Sequence, residues 1–201
     1  MSRRRQREPE EHERDLGPVA DPESVARTIL LSKLTASAKS RRELADALAA
    51  KDVPDEVATR VLDRFEQVGL VDDAAFADTW VRSRQASRGL SRRALSHELR
   101  RKGVDDEVIA VSLEQVDAET ERDAAMTLVA RKLRSTRGLD QVRRTRRLVG
   151  MLARKGYGPG LAAGVVREAL AEEALAEEAD AAEDMSGIPV ADDMVDWPVD
   201  E

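Results

Sequence analysis

The chain has 201 residues, no cysteine and a formal net charge of −7, which excludes disulfides and thiolate metal sites. Aromatic residues make up 2% and charged residues 36%, so we predict helices packed through alanine and leucine. No apolar run approaches the roughly 20 residues that cross a membrane, and the N-terminal arginines lack the apolar segment of a secretion signal, so we expect a cytoplasmic protein.

The first predicted helix follows a tail. Residues 1–20 hold five arginines and five acids with little apolar surface to bury, and we predict disorder there. Asp21-Pro22-Glu23 then combines a capping carboxylate, a proline in the first turn and an acid near the positive helix end. A second helix opens with the capping-box pattern Ser40-Arg-Arg-Glu43, and Pro54 opens a third. Residues 21–70 are therefore predicted to form one three-helix repeat.

The same pattern recurs twice more along the chain. Shifting by 51 residues places Arg41-Arg42 on Arg92-Arg93 and aligns six further positions, which a second shift of 53 aligns again. The six aligned sets are Leu44, Leu95, Leu148; Leu48, Leu99, Leu152; Lys51, Lys102, Lys155; Val53, Val104, Tyr157; Val57, Val108, Leu161; and Leu62, Leu113, Val166. Units this small need neighbours to bury enough surface. We predict an all-α, elongated array of three tandem three-helix repeats, at 21–70, 71–117 and 118–171.

Two arginine-rich clusters occupy matching places in the second and third repeats. In the first cluster, from 82 to 102, eight basic residues face one acid, Glu98. Gly89 can adopt a positive φ between two helices and Ser91 can cap the second, so we predict ordered structure there. The candidate partner- or DNA-binding residues are Arg82, Arg84, Arg88, Arg92, Arg93, Arg100, Arg101 and Lys102 in the first cluster, and Arg143, Arg144, Arg146, Arg147, Arg154 and Lys155 in the second.

The C-terminal segment reverses this charge. Residues 168–201 hold thirteen acids and neither lysine nor arginine, which leaves +6 on residues 21–167. We interpret 172–201 as an acidic tail whose first residues can extend the last helix and which is disordered after Asp184. Solubility is its simplest role. A sharper hypothesis is that the tail folds back over the basic residues and competes with an anionic partner.

No residue pattern indicates a reaction centre. Ser96-His97-Glu98 brings a hydroxyl, an imidazole and a carboxylate together in sequence, but consecutive helical residues point about 100° apart and cannot form a relay. The acid pairs Asp72-Asp73 and Asp105-Asp106 precede helices, where capping and the helix dipole account for them. Trp80 near the arginines could stack on a base, although its spacing from Phe76 favours a core position. We predict no catalytic residue, no metal site and no cofactor, and hence not an enzyme.

Two segments resemble a known family. Residues 69–84, GLVDDAAFADTWVRSR, and 88–104, RGLSRRALSHELRRKGV, contain an acid-bearing turn, an aromatic-Ala pair, an Arg-rich helix end, Gly-x-Ser and a helix ending in Lys-Gly-aliphatic. Arg154-Lys-Gly-Tyr157 is similar in the third repeat. Over about residues 24–170 the chain resembles the RecX family of regulators of the RecA recombinase, and both tails lie outside the resemblance.

The resemblance implies three tandem three-helix repeats that insert into the groove of a RecA–DNA filament. Such proteins limit strand exchange and ATP hydrolysis, and thereby temper the SOS response to DNA damage. We expect a monomer that binds the filament and, through its arginines, single- or double-stranded DNA, with no membrane partner. Two alternatives stay open from the residues alone. One is a direct DNA-binding module in transcription or nucleoid organisation, although no helix presents Asn, Gln and Arg for reading bases. The other is a scaffold that recognises an unrelated acidic partner.

Overall fold

A computed structural model describes residues 21–186 of the chain. Within that range the structure consists of helices joined by short turns, with no strand. The helices are α1 (Pro22–Ala36), α2 (Arg41–Ala49), α3 (Asp55–Gln67), α4 (Asp73–Arg88), α5 (Arg92–Arg101), α6 (Asp106–Ser112), α7 (Ala118–Leu133), a 3-10 turn (Arg134–Thr136), α8 (Gln141–Arg154) and α9 (Pro159–Ser186). The predicted all-α class is confirmed. None of the helices described is long and apolar enough to cross a membrane.

The predicted tails fall largely outside the described residues. Residues 1–20 and 187–201, for which we predicted disorder, lie beyond the range. The predicted extension of the last helix is present, since α9 runs on to Ser186, two residues past the point at which disorder was expected to begin.

The contacts divide the chain into two compact units after Asp73. The first unit contains α1–α3, which we call the first helix set. The second unit contains α4–α6, the second set, together with α7–α9, the third set. Each of the three sets has its own cluster of buried apolar side chains, so the predicted three-helix repeat is confirmed.

Positions that align in the sequence also share their burial in the structure. Both aligned leucine positions are almost fully buried in every set. The position just after the second helix of each set is filled by a buried Val53, Val104 or Tyr157. The three sets therefore bury equivalent positions of the repeat, although the third fills one of them with a larger side chain.

A left-handed backbone position follows the second helix of each set. The residues there are Asp52, Gly103 and Gly156, with φ of 56°, 77° and 90°. This conformation favours glycine because a Cβ atom crowds the following carbonyl oxygen. The first set carries an aspartate at the equivalent place, which is one of the few residue types that tolerate it.

The caps predicted from sequence are present. The Asp21 carboxylate accepts from the backbone N–H of Ser24 (3.2 Å), and Ser40 and Glu43 form the complete capping box. Ser91 is buried and its hydroxyl accepts from the Ala94 N–H at 3.2 Å. These bonds satisfy N–H groups that the first turn of a helix leaves unpaired.

Asp73 and Asp106 lie in the first turns of α4 and α6, where the predicted helix-dipole effect applies, and both also contact other groups. The Asp73 carboxylate also accepts a hydrogen bond from the backbone N–H of Arg41 (2.8 Å), the first residue of α2. Asp106 forms an ion pair with Arg100 (2.6 Å), and Asp105 makes no capping hydrogen bond through its side chain. The helix-dipole part of the prediction fits these positions, whereas the capping part is wrong for Asp105.

Candidate partner-binding site

The second and third helix sets meet at a joint built largely from backbone atoms. The Ser91 N–H donates to the carbonyl of Lys155 (3.1 Å), and the Tyr157 hydroxyl donates to the carbonyl of Gly89 (3.1 Å). The ammonium of Lys155 donates to the carbonyl of Arg88. These bonds hold the start of α5 against the turn that follows α8.

Close packing at the joint leaves no room for a side chain at Gly156. A Cβ there would lie 2.5 Å from Ser91 Oγ and 2.8 Å from the Ala94 Cβ, and the backbone φ of 90° already disfavours other residues. Burial raises the pKa of Tyr157 to about 12, so its hydroxyl stays protonated and able to donate. The joint is therefore closely fitted as well as hydrogen-bonded.

An open groove of about 620 Å³ lies between α5 and the end of α8. Arg93, His97 and Arg101 line it from α5, Arg154 lines it from α8, and Glu98 is the carboxylate in its wall. Successive members of the α5 row are four residues apart, so they share one helix face at intervals of about 6 Å along the axis. Among the described residues, none of the three arginines forms an ion pair. We call these three arginines with His97 the basic groove.

Glu98 neutralises two other arginines of the first cluster. Its carboxylate lies 3.6 Å from Arg84 and 3.8 Å from Arg88, and it accepts a hydrogen bond from the Trp80 indole N–H at 2.9 Å. The side chain of Glu98 is only 17% exposed. Since it already has these partners, Glu98 leaves the arginines of the basic groove without a carboxylate of their own.

Trp80 is partly buried and packs against the core of the second set, in partial agreement with its spacing. Its ring stacks on Phe76 with 5.7 Å between centroids and borders the buried cluster of the second set. The Arg84 guanidinium lies 4.0 Å and the Lys102 ammonium 4.2 Å from the ring centroid. These cation–π contacts stabilise the local packing and occupy the ring surface that a base would need.

Two further arginines of the first cluster hold α5 to α6. Arg92 donates to the carbonyls of Leu113 (3.0 Å) and Val116 (3.2 Å), which lie just beyond the end of α6. A cation is favourable there because the carbonyl groups at a helix end carry partial negative charge. Arg100 is held by its ion pair with Asp106. Both side chains therefore serve the fold.

The second cluster separates in the same way. Arg143 pairs with Asp140 (3.2 Å), and Arg144 is largely buried and donates to Glu173. Arg146 lines a shallow apolar surface beside the exposed Val142.

The fourteen predicted site residues thus fall into three groups. Arg93, Arg101 and Arg154 line the basic groove; Arg84, Arg88, Arg92, Arg100, Lys102, Arg143, Arg144 and Lys155 have partners within the protein; and Arg82, Arg146 and Arg147 are exposed elsewhere.

Sequence reasoning missed two residues of this site. His97, set aside as part of an exposed helix face, lies midway between Arg93 and Arg101 in the groove. Its four-residue spacing from both arginines could have indicated that all three side chains share one helix face. Tyr157, which aligns in sequence with Val53 and Val104, is buried as they are, but its bond across the joint has no signal in the sequence.

Three family models match the chain in order. They describe the first three-helix domain of RecX (residues 26–65), the second (72–113) and the third (119–166), and together they cover more than half of the chain. The chain belongs to the RecX family. A curated RecX, "Regulatory protein RecX" of Streptomyces lividans, is 56% identical over 155 residues, spanning 77% of this chain and 82% of the relative. The RecX of Mycobacterium avium (strain 104) is 53% identical over 150 residues, spanning 74% and 87%.

A solved RecX structure shares the fold. The crystal structure of RecX from Lactobacillus salivarius superposes with a TM-score of 0.68 over 75% of this chain and 98% of that one. The two sequences are 18% identical, so the likeness concerns the helical architecture alone. The curated RecX relatives are named regulatory proteins, and a regulatory role is what membership of this family supports.

Proposed function

We propose that this protein regulates a RecA recombinase by binding in the groove of the RecA–DNA filament, where it limits ATP hydrolysis and strand exchange. Membership of the RecX family supports the regulatory role. The observation that carries the finer proposal is the basic groove, in which Arg93, Arg101 and Arg154 converge without an internal carboxylate partner. We further propose that the protein acts as a cytoplasmic monomer and not as an enzyme.

The electrostatics of the groove suit a polymeric anion. A nucleoprotein filament offers phosphates and acidic side chains at regular intervals. Hydrogen bonds from guanidinium groups to such anions are stronger than those between neutral groups, especially where both donors of a fork engage. Several such contacts made together gain from their high effective concentration.

The joint supports binding by fixing the groove in advance. Ser91, Lys155 and Tyr157 bond the two helix sets that carry the opposing arginines. Since Arg154 lies directly before the joint and Arg93 directly after it, their separation is set by the fold and not by the partner. A preformed site loses less conformational freedom on association and so binds more tightly.

Charge reversal in the groove tests the proposal. Arg93→Glu/Arg101→Glu should weaken inhibition of ATP hydrolysis by RecA on single-stranded DNA by more than about tenfold, because two charge-assisted contacts are lost. The matched control is Arg131→Glu/Arg167→Glu, which removes the same charge at exposed arginines outside the groove. Circular dichroism verifies that both variants stay helical. Full inhibition by the groove variant would refute the proposal, as would equal losses in the two variants.

The same groove favours one alternative, a module that binds DNA directly. Unpaired arginines also suit the phosphates of bare DNA, and such binding falls steeply with salt. Titration into single-stranded DNA with and without recombinase and ATP separates the two functions. Inhibition at substoichiometric protein supports filament binding, whereas equally strong binding to bare DNA supports the alternative.

A further inference from the structure

The last helix continues beyond the third three-helix domain and is held there by a buried carboxylate. The family match ends at residue 166, while α9 runs on to Ser186. Within 171–182 every side chain is exposed except that of Glu173, which is 7% exposed. Leu175, the large apolar residue of this stretch, is 66% exposed. The extension therefore gains almost no hydrophobic stabilisation, and its attachment is electrostatic.

Glu173 occupies a site formed by two arginines. Its carboxylate accepts from Arg137 Nε at 2.8 Å and from the Arg144 guanidinium. Arg137 also lies 3.6 Å from the exposed Glu177. Burial raises the pKa of Glu173, but the hydrogen bonds from both arginines and their positive charge outweigh it and hold that pKa below its usual range. The carboxylate is consequently ionised at neutral pH.

One of the two arginines is held in place by groups other than Glu173. Arg144 also donates to Thr136 Oγ1 at 3.1 Å and to the carbonyl of Leu133 at 3.4 Å. These groups orient the guanidinium through the turn between α7 and α8. Arg137, 55% exposed, can reach solvent when its acidic partners leave. An anion-binding site would remain after the glutamate withdrew.

We propose that Arg137 and Arg144 form an anion-binding site whose internal occupant is Glu173, so that the acidic extension of α9 competes with a polyanionic partner for the third helix set. This inference rests on the proposed function, because it concerns how binding of the same polyanionic partner is regulated. The competition is reciprocal: a polyanion that takes Arg137 releases the extension, and a bound extension weakens the polyanion.

The test uses the full-length chain and a fluorescein-labelled oligothymidylate, without recombinase. Glu173→Gln/Glu177→Gln removes the internal competitor and should bind the oligonucleotide about fivefold or more tightly at low salt. Because one or two arginines become available, the slope of log K against log salt should steepen by about 0.7 to 1.4, the change expected for a single strand. Fluorescence anisotropy across a salt series measures both quantities.

The control removes the same charge from the same helix. Glu172 and Glu178 are exposed and form no ion pair among the described residues, so Glu172→Gln/Glu178→Gln should leave the slope unchanged. Identical behaviour of the two double variants overturns the proposal, and so does absence of oligonucleotide binding in both. If Glu173→Gln prevents folding, Glu177→Gln alone, at an exposed pair, should shift the slope in the same direction by a smaller amount. Because this assay contains no recombinase, a negative result would refute the competition by α9 without refuting the proposed inhibition of RecA.

Discussion

The first and second helix sets share a packing pattern but use their equivalent arginines in opposite ways. In the first set, Arg41 pairs with Asp63 (2.6 Å) and Glu66 (2.5 Å), and Arg42 pairs with Asp46 (3.1 Å). The groove between α1 and α3 likewise mixes charges, with four carboxylates and three arginines in its wall: Glu23, Asp55, Glu56, Asp63, Arg27, Arg60 and Arg64. Two of these three arginines, Arg27 and Arg60, pair with Glu23.

The second set leaves the equivalent charge available. Arg92 aligns with Arg41 but donates to backbone carbonyls, and Arg93 aligns with Arg42 but faces the basic groove. The residue that would neutralise Arg93 also differs, because the 51-residue shift places His97 where the first set has Asp46. One helical scaffold can thus present either a neutralised or an available arginine, depending on whether a carboxylate or another residue stands four positions away.

The largest effect is expected at the joint, which lies in the second unit. Gly156→Ala places a Cβ against Ser91 and Ala94 at a positive φ, and should lower the free energy of unfolding of that unit by about 2–4 kcal/mol. Urea denaturation followed by circular dichroism measures it. Gly138→Ala, at a turn where φ is not positive and an added Cβ would have no neighbour within 4 Å, should not lower the stability of the same unit. Equal effects of the two substitutions would mean that the joint is not closely packed.

An intermediate effect is expected from making the second set resemble the first. His97→Asp places a carboxylate four residues from both Arg93 and Arg101, and should weaken RecA inhibition about tenfold by occupying them. Stability should stay equal or rise by a few tenths of a kcal/mol, since each such pair stabilises a helix slightly. His97→Asn has a similar size without the charge and should retain inhibition. Comparable inhibition by the two variants would show that pairing of Arg93 and Arg101 with a carboxylate does not explain the functional difference between the first and second sets.

The smallest effect is a difference in pH dependence. Because the pKa of Glu173 is lowered in the folded state, its contribution to stability is complete above the ordinary glutamate value of about 4.3 and is lost as pH falls through the folded value. Thermal unfolding between about pH 3 and 6 should show this decline, and Glu173→Gln should flatten it. A profile unaffected by Glu173→Gln would contradict the lowered pKa.

Local signals in the sequence predicted much of the fold. Leu95 and Leu99, which belong to the aligned leucine sets, lie four residues apart as on one helix face, and both are fully buried. The capping box at Ser40 and the positive φ at Gly89 depend on neighbours in sequence, and both are present. Such features follow from backbone geometry within one or two turns, which is why sequence patterns reveal them.

The candidate site was less accessible to sequence reasoning. Arginine counts identified two clusters but not which guanidinium groups would find partners. Arg92 reaches carbonyls more than twenty residues away, and Arg154 reaches the groove of Arg93 only because the joint brings α5 and α8 together. Glu173 belonged by composition to an acidic tail, yet it is buried. These outcomes depend on tertiary placement, which charge composition does not specify.

The backbone bond between Ser91 and Lys155 has a consequence for how this protein can change over evolutionary time. Every amino acid supplies a carbonyl, and every one except proline supplies an N–H. Replacing either side chain would remove the Ser91 cap or the Lys155 contact but leave this backbone bond in place, whereas Gly156 beside them admits almost no replacement. Divergent descendants of this chain should keep the same alignment of their second and third modules even after most side chains around it have been exchanged.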